Sequence, residues 1–340
     1  MDTASAAGLA PSRAADDPHR HAVKLRAPAK LNLHLGVYPG RDGRGYHHTD
    51  SVMVALSLAD LVTVIERGAT GAEGVGPALL LSEDVGVPSR ENTAWIAATR
   101  LCEEFGRPPT YAIRIEKRIP SQSGLGGASS DAASVILALC QLWGIDADAA
   151  AGDPCVVNVA RSVGADVAFF LHPVPSLLTG AGDVVERVFP PMDGLPVVLV
   201  RPGAGVSTAE AYREFDVAPE MPEPADAMCD VLAAGDRQAV ASRLHNNLAS
   251  ASERLVPACG EVTRWLRAQE GVMGAQVTGS GSCAFALCDT AMSARKIAAA
   301  ARAACEDWWS ISCETVGSGA QFCYLTLVFG SHLWCYEAPL

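Results

Sequence analysis

From position 21 the chain alternates between apolar and polar residues. In the run His21 to Val37, Leu31, Leu33, Leu35 and Val37 interleave with Lys30, Asn32 and His34. A period of two predicts a strand with one buried face. It sets Lys30, Asn32 and His34 together on the opposite face, aimed at something other than the core. Pro28 fits a strand edge or a bulge, because it has no N–H for a ladder. Ser51 to Glu66 alternates again and reads as a partner strand pair, and Tyr111 to Lys117 as a further strand. Spacings of three and four predict helices at Asn92 to Phe105, from Ser129 to Leu139, and at Pro154 to Val163. Four more follow, around Ala227 to Ala234, Arg237 to Leu248, Pro257 to Gln269 and Ala291 to Cys305. Between them lie a turn at Arg41 to Gly45, a loop at Gly68 to Pro77, an acidic linker at Asp146 to Asp153 and a hairpin at Gly180 to Val188. A short buried strand spans Val197 to Val200, and a surface loop runs around Asp216 to Asp226. Strands and helices intermix without a βαβ repeat, which predicts an α+β fold. No internal repeat is visible.

The strand ending at Lys117 feeds the stretch Pro120-Ser-Gln-Ser-Gly-Leu-Gly-Gly-Ala-Ser-Ser-Asp-Ala-Ala133. Glycines let a backbone turn with positive φ and let a ligand come close to the main chain. A helix opening directly after them presents unpaired N–H groups and a positive dipole end, which suits a polyphosphate. The spelling is not a Walker loop, since no Lys follows Gly126 or Gly127, and the third Gly of a dinucleotide fingerprint is missing. A second Gly-rich turn, Thr278-Gly-Ser-Gly-Ser282, sits between two apolar strands within Ala275 to Cys288.

Composition narrows the function classes. The net charge of −12 over 340 residues leaves no basic stripe for nucleic acid. An anionic ligand must therefore be held by local N–H groups, a few cations and a metal. Eleven cysteines, none in a C-x-x-C pair, read as reduced thiols in a cytoplasmic protein. No stretch reaches the roughly 18 uncharged apolar residues of a membrane helix. The first 21 residues lack the apolar core of a secretory signal and read as a disordered leader.

Three segments now stand together: Pro28-Ala-Lys-Leu-Asn32 with Gly45-Tyr-His47, the loop from Pro120 to Ala133, and Thr278 to Phe285. Their order and spacing resemble the GHMP small-molecule kinases. Asn92 to Trp95, Gly164-Ala-Asp166, Gly205 to Thr208, Ala211-Tyr212 and His245 to Leu248 extend the resemblance from about Val23 to Thr315. It implies two α+β domains with the active-site cleft between them: an N-terminal ATP-binding domain at 22–178 and a C-terminal substrate-binding domain at 179–316. The tail at 317–340 has no counterpart and could add an edge strand over Phe322 to Phe329.

The resemblance further implies transfer of the ATP γ-phosphoryl to an alcohol, with ATP and Mg²⁺ as cofactors and Lys30 and Asp166 flanking the acceptor hydroxyl. Asn92, Pro120, Ser123, Gly124, Leu125, Gly126, Gly127, Ala128, Ser129 and Ser130 are its nucleotide-binding positions, Asn92 near adenine. Either Asn92 or Asp166 is otherwise a helix N-cap. The hydroxyl of Ser130, or of Ser129, would face Mg²⁺. Asn32, Tyr46, His47, Thr208, Tyr212, Gly279 and Gly281 would seat the substrate, with Tyr46, His47 and Tyr212 forming a slot for a cytosine ring. The substrate so implied is a small molecule, a cytidine-diphosphate-linked polyol, with no nucleic acid or membrane partner and a monomer or weak homodimer as the acting unit. A different acceptor of the same family (homoserine, mevalonate or a sugar) and a non-catalytic nucleotide binder stay open. The chain departs from the family at Gln122 and Ser123, where Gly or Ala is usual, at Ser282 for Pro and at Asp183 for Glu.

Overall fold

Two long strands set the frame. Strand β1 (Ala22–Val37) runs antiparallel to β2 (Thr49–Glu66) along almost its whole length. The computed structural model describes residues 22–66 and 76–317, and in addition the backbone of 323–325, 328–329 and 332–333. The expected leader and most of the loop from Gly68 lie outside the described residues. Where the sequence suggested a strand pair, β2 is one strand. Its register against β1 slips between Pro28 and Lys30, so the chain bends there and continues, with Pro28 at the bulge.

The chain goes on as β3 (Ala78–Leu81), α1 (Thr93–Glu104), β4 (Tyr111–Glu116), α2 (Gly127–Leu142), α3 (Ala147–Gly152), α4 (Pro154–Val163), α5 (Val167–Leu171), β5 (Ser176–Thr179) and β6 (Val184–Val188). Then come β7 (Pro196–Arg201), α6 (Thr208–Val217), α7 (Asp226–Ala233), α8 (Arg237–Ser242), β8 (His245–Asn246), α9 (Ala249–Leu255), α10 (Ala258–Arg267), β9 (Val272–Val277), β10 (Ala284–Cys288), α11 (Ala291–Ala304), β11 (Trp309–Val316) and β12 (Cys323–Leu325). One mixed sheet follows the order β12-β1-β2-β11-β7-β10-β9, with β4 and β5 also bonded to β2. β11 joins its two halves, pairing with β7 through Glu314 and with β2 at Thr315 and Val316. The intermixed strands and helices are those of an α+β fold. Of the tail's expected edge strand, Cys323–Leu325 pairs with β1 at the sheet edge.

Several elements differ from the sequence reading for local reasons. The acidic linker is helix α3, because Asp146 caps it by accepting from the N–H groups of Asp148 and Ala149, and alanines favour the helix. The helix expected through Leu248 stops at Ser242. His245 and Asn246 instead pair in parallel with His34 and Leu35 of β1. Helix α2 begins two residues before Ser129, with Gly126 in left-handed backbone as its N-cap.

The polar face of β1 is also shorter than its period implied. A second register slip lies between Asn32 and His34. One extra residue turns the following side chains to the other face. Lys30, Asn32 and Leu35 line the central cavity; His34 does not. The His34 ring faces that of His245 at 4.9 Å, and its Nε2 has no hydrogen-bond partner among the described residues.

Burial, with the neighbouring His245, lowers the His34 pKa to about 4, against a weaker opposite pull from Asp50. The folded chain therefore binds this proton more weakly than the unfolded chain. Stability held above pH 6.5 should fall as the pH drops from there towards about 4, by about 3 kcal/mol at most. Urea unfolding of the wild type and His34→Gln across this range checks it. The variant should lose less stability on acidification, and parallel curves would refute the assignment.

Candidate active site

A cavity of about 910 Å³ opens between the strand β1, the start of α2, the residues before α5 and the helix α6. Most of the residues singled out in the sequence meet on its wall. Lys30, Asn32, Tyr46, His47, Asn92, Pro120, Ser123, Gly124, Gly126, Gly127, Ala128, Ser129, Asp166, Thr208, Tyr212 and Gly279 all line it. Leu125, Ser130 and Gly281 do not. Leu125 is buried, and its carbonyl accepts the N–H of Lys30 at 2.9 Å, so it anchors the loop to β1. Ser130 is fully buried one residue behind Ser129, and its Oγ has no partner among the described residues. Gly281 donates its N–H to the Thr278 carbonyl and closes the second turn.

The two glycine-rich turns are fastened to each other through the main chain. Gln122 O accepts from Ser282 N and Val206 N, both at 3.3 Å, and Ser123 O accepts from Cys283 N at 3.2 Å. Gly124 has φ +74°, and a Cβ there would lie 2.1 Å from the Thr278 carbonyl oxygen. Only glycine permits that approach. Gln122 also adopts a left-handed φ of 52°, an unusual backbone for a residue with a long side chain.

Lys30 is a buried cation of the site, 3% exposed. Its Nζ donates to Asn32 Oδ1 at 2.6 Å and lies 3.5 Å from Asp166 Oδ2. Asn32 in turn donates to Ser51 Oγ at 2.8 Å, which fixes its carbonyl oxygen toward Lys30. Asp166 stands at the N-cap position of α5 but makes no capping bond, which leaves its carboxylate to the cavity. Asn92, in contrast, caps α1 by accepting from Ala94 N and lines the cavity as well.

At the opposite end His47 stacks on Tyr212, with ring centroids 5.4 Å apart and planes inclined at 24°. The His47 Nδ1 meets the Tyr38 carbonyl at 3.0 Å. Its Nε2 faces Asp216 Oδ1 at 3.2 Å, outside hydrogen-bond geometry. Burial and the charge of Asp166 raise the Tyr212 pKa, so its hydroxyl stays neutral. Tyr46 is the exposed member of this wall, at 56%.

Sequence reasoning missed a buried trio beneath the first glycine-rich turn. Lys117 Nζ donates to Asp131 Oδ2 at 2.7 Å and to Asp60 Oδ2. Asp60 Oδ1 also accepts from the N–H of Ile119 at 2.8 Å. Burial pushes the Asp131 carboxyl up to about 7, against the pull of Lys117. Burial alone would lower the Lys117 pKa, but the two carboxylates outweigh it and hold the ammonium charged. One signal was present: Asp60 is a lone carboxylate in the middle of an apolar strand, where a charge needs a partner.

Comparison with known proteins agrees with this geometry. Residues 92–173 match the GHMP kinases N terminal domain, and residues 228–307 the GHMP kinases C terminal domain. A 4-diphosphocytidyl-2-C-methyl-D-erythritol kinase from a Nocardioides species is 38% identical over 280 residues, covering 81% of this chain and 91% of the relative. The enzyme of that name from Thermus thermophilus is 36% identical over 297 residues, covering 86% and 96%. A crystal structure of 4-(cytidine 5'-diphospho)-2C-methyl-D-erythritol kinase superposes with a TM-score of 0.67 at 34% identity, over 87% of this chain and all of that one. A homoserine kinase structure from Cytophaga hutchinsonii shares the fold, with a TM-score of 0.69 at 19% identity over 89% and 97% of the two chains. The chain belongs to the GHMP kinases, within the 4-diphosphocytidyl-2-C-methyl-D-erythritol kinase family.

Proposed function

We propose that this chain phosphorylates the 2-hydroxyl of 4-diphosphocytidyl-2-C-methyl-D-erythritol with ATP, a step of the non-mevalonate isoprenoid precursor pathway. One observation carries the reading at the site. Lys30 and Asp166 face each other at 3.5 Å in one cavity, between a glycine-rich helix start and an aromatic pair.

Bound ATP supplies the γ-phosphoryl group, and Mg²⁺ offsets charge on it. The N–H groups from Gly124 to Ser129 and the positive end of α2 would hold the phosphates. Hard oxygens at the same helix start fit the ion in kind. Ser129 and Asp131 line the cavity and Ser130 does not, and Ser130 Oγ and Asp131 Oδ1 have no partner among the described residues, so we assign the metal-facing hydroxyl to Ser129 rather than Ser130. Asn92 lines the cavity beside Thr93, whose hydroxyl donates to the Ala128 carbonyl at 2.8 Å, and adenine would lie there.

Asp166 orients the acceptor hydroxyl and accepts its proton. A nearby ammonium weakens a carboxylate as a base. A loose phosphoryl-transfer transition state asks little of base strength, so orientation is the larger contribution. Lys30 places positive charge where negative charge develops on the transferred group. Asn32, Thr208 and Gly279 seat the polyol diphosphate, and Tyr46, His47 and Tyr212 seat the cytosine ring.

The substrate-binding half would begin near residue 179. The net charge of −12 keeps nucleic acid out of the partner list. Nine free cysteines among the described residues support a reducing, cytoplasmic setting, and none of the helices described is long and apolar enough to cross a membrane.

ADP release with 4-diphosphocytidyl-2-C-methyl-D-erythritol, beside homoserine and mevalonate, tests the reading. Turnover with the cytidyl compound alone is expected. Turnover with a control instead moves the chain to another acceptor, and ATP binding with no turnover favours a non-catalytic role. Asp166→Asn should lower kcat by roughly 10²–10⁴-fold with little change in ATP binding; a near-wild-type kcat removes the role assigned to it. Gly124→Ala must push the two turns apart, and a displacement of about 1 Å at reacting groups costs on the order of 10²-fold in rate. We expect that loss in kcat/KM for ATP, measured in the same assay; an unaffected variant would show that the loop tolerates the shift.

A further inference from the structure

We propose that Asp216 is a positioning residue for the nucleobase end of the acceptor, acting with Arg41 to latch the Arg41–His47 segment onto α6. The inference rests on the proposed function and names a determinant of substrate binding outside the expected set.

Three observations place it. Thr208, Tyr212 and Asp216 follow one another at intervals of four, so they share one face of α6. The first two line the cavity. Asp216 reaches across to the opposite wall. Its Oδ2 accepts from Arg41 Nε at 3.1 Å and from Arg41 Nη2, while Arg41 Nη1 donates to the Gly45 carbonyl at 2.9 Å. The guanidinium thus braces the backbone immediately before Tyr46 and His47. The other carboxylate oxygen faces His47 Nε2 at 3.2 Å. Finally, α6 ends at Val217, so Asp216 sits in its last turn. The helix dipole disfavours a carboxylate there. The compensating charge lies on the other wall.

His47 also packs its ring on Tyr212 and Phe215 of α6, at 5.4 and 5.6 Å, while the other ion pairs of this segment run elsewhere. Arg44 pairs with Asp42 in the same turn and with Asp183 beyond β5. Arg41 is the cation among these that meets α6. The latch therefore works beside the His47 ring contacts in fixing how the wall carrying Tyr46 and His47 meets the wall carrying Tyr212. Arg41 and Asp216 are each about two-fifths exposed, at 41% and 39%. An ion pair so exposed adds little to folding stability. Its removal should register in substrate binding instead.

Steady-state kinetics with the diphosphocytidyl substrate provide the test. Asp216→Ala should raise KM for that substrate roughly five-fold, the scale of one half-exposed ion pair. The kcat and the KM for ATP should stay within about two-fold of wild type, since neither phosphate loop nor Lys30 is touched. The melting temperature should hold or rise, because an unfavourable charge leaves the helix end. Arg41→Ala should match this effect, and the double variant should be no worse than either single. Arg41→Asp combined with Asp216→Arg should restore part of the lost KM. Unchanged KM in Asp216→Ala overturns the proposal, as do single effects that multiply in the double variant. A lowered melting temperature with proportionate loss of kcat would show a structural role only. Absence of turnover of the diphosphocytidyl substrate by the wild type would overturn the functional reading and this inference together, whereas wild-type turnover with indifferent variants overturns this inference alone.

Discussion

Two buried lysines line the same cavity, and the difference between their partners organises the site. An ammonium has three donors and no acceptor, and burying it is costly unless those donors are used. Lys117 is held by the carboxyl groups of both Asp60 and Asp131. Lys30 has a neutral partner at hydrogen-bond distance, Asn32, and a carboxylate only at 3.5 Å. Its charge is the less compensated, so it retains attraction for an incoming phosphoryl group. Lys117 is spent on fastening β2, β4 and α2 together beneath the loop. Removing either carboxyl would leave a Lys117 donor without its buried acceptor, whereas Lys30 is poised for a ligand to complete its partners.

That poise depends on main-chain stitching between distant segments. The N–H of Lys30 is tied to Leu125, the carbonyls of Gln122 and Ser123 to the residues after Gly281, and Thr278 Oγ1 reaches the Asn32 N–H at 3.3 Å. Strand β1, the first Gly-rich turn and the second therefore form one rigid corner. The left-handed Gln122 belongs to this corner. Its carbonyl has two donors and holds the backbone in a conformation that glycine would adopt freely. Side-chain identity at 122 thus matters less to the corner than the direction of its carbonyl.

The sequence was readable wherever one local rule decided the outcome. Period two found β1 and β4, glycine chemistry found both turns, and capping found Asn92. It misled where tertiary contact overrode pattern. The slip between Asn32 and His34 is invisible in the residues, yet it replaces His34 with Leu35 on the cavity wall. The β1 edge captured His245 and Asn246 from an expected helix. Within the first glycine-rich turn, spelling marks the motif but not which side chains face out, so it groups Leu125 and Ser130 with residues that do line the cavity. The Asp60–Lys117–Asp131 trio joins three elements far apart in sequence, and only Asp60 gave a hint. Asp216 was available as the third member of a four-residue spacing with Thr208 and Tyr212, but a single acid on a surface helix carries no signal until its partner is known.

The charge pattern explains how so acidic a chain could hold two polyphosphate ligands. Four Lys or Arg residues line the cavity: Lys30, Arg41, Lys117 and Arg213. Arg41 and Lys117 are committed to carboxylates, and Arg213 Nε donates to the Ala209 carbonyl on its own helix. Side-chain charge alone therefore offers Lys30 and Arg213, each bonded to a neutral oxygen. In the proposed reading, the rest of the attraction comes from oriented main-chain N–H groups at the start of α2, whose positions are set by the backbone rather than by flexible side chains. Such a binding surface is insensitive to net charge and selective for shape. The carbonyls of residues 122 and 123 are engaged away from the N–H groups that follow, and the vulnerable position is Gly124, where a single methyl group would collide with the opposite turn.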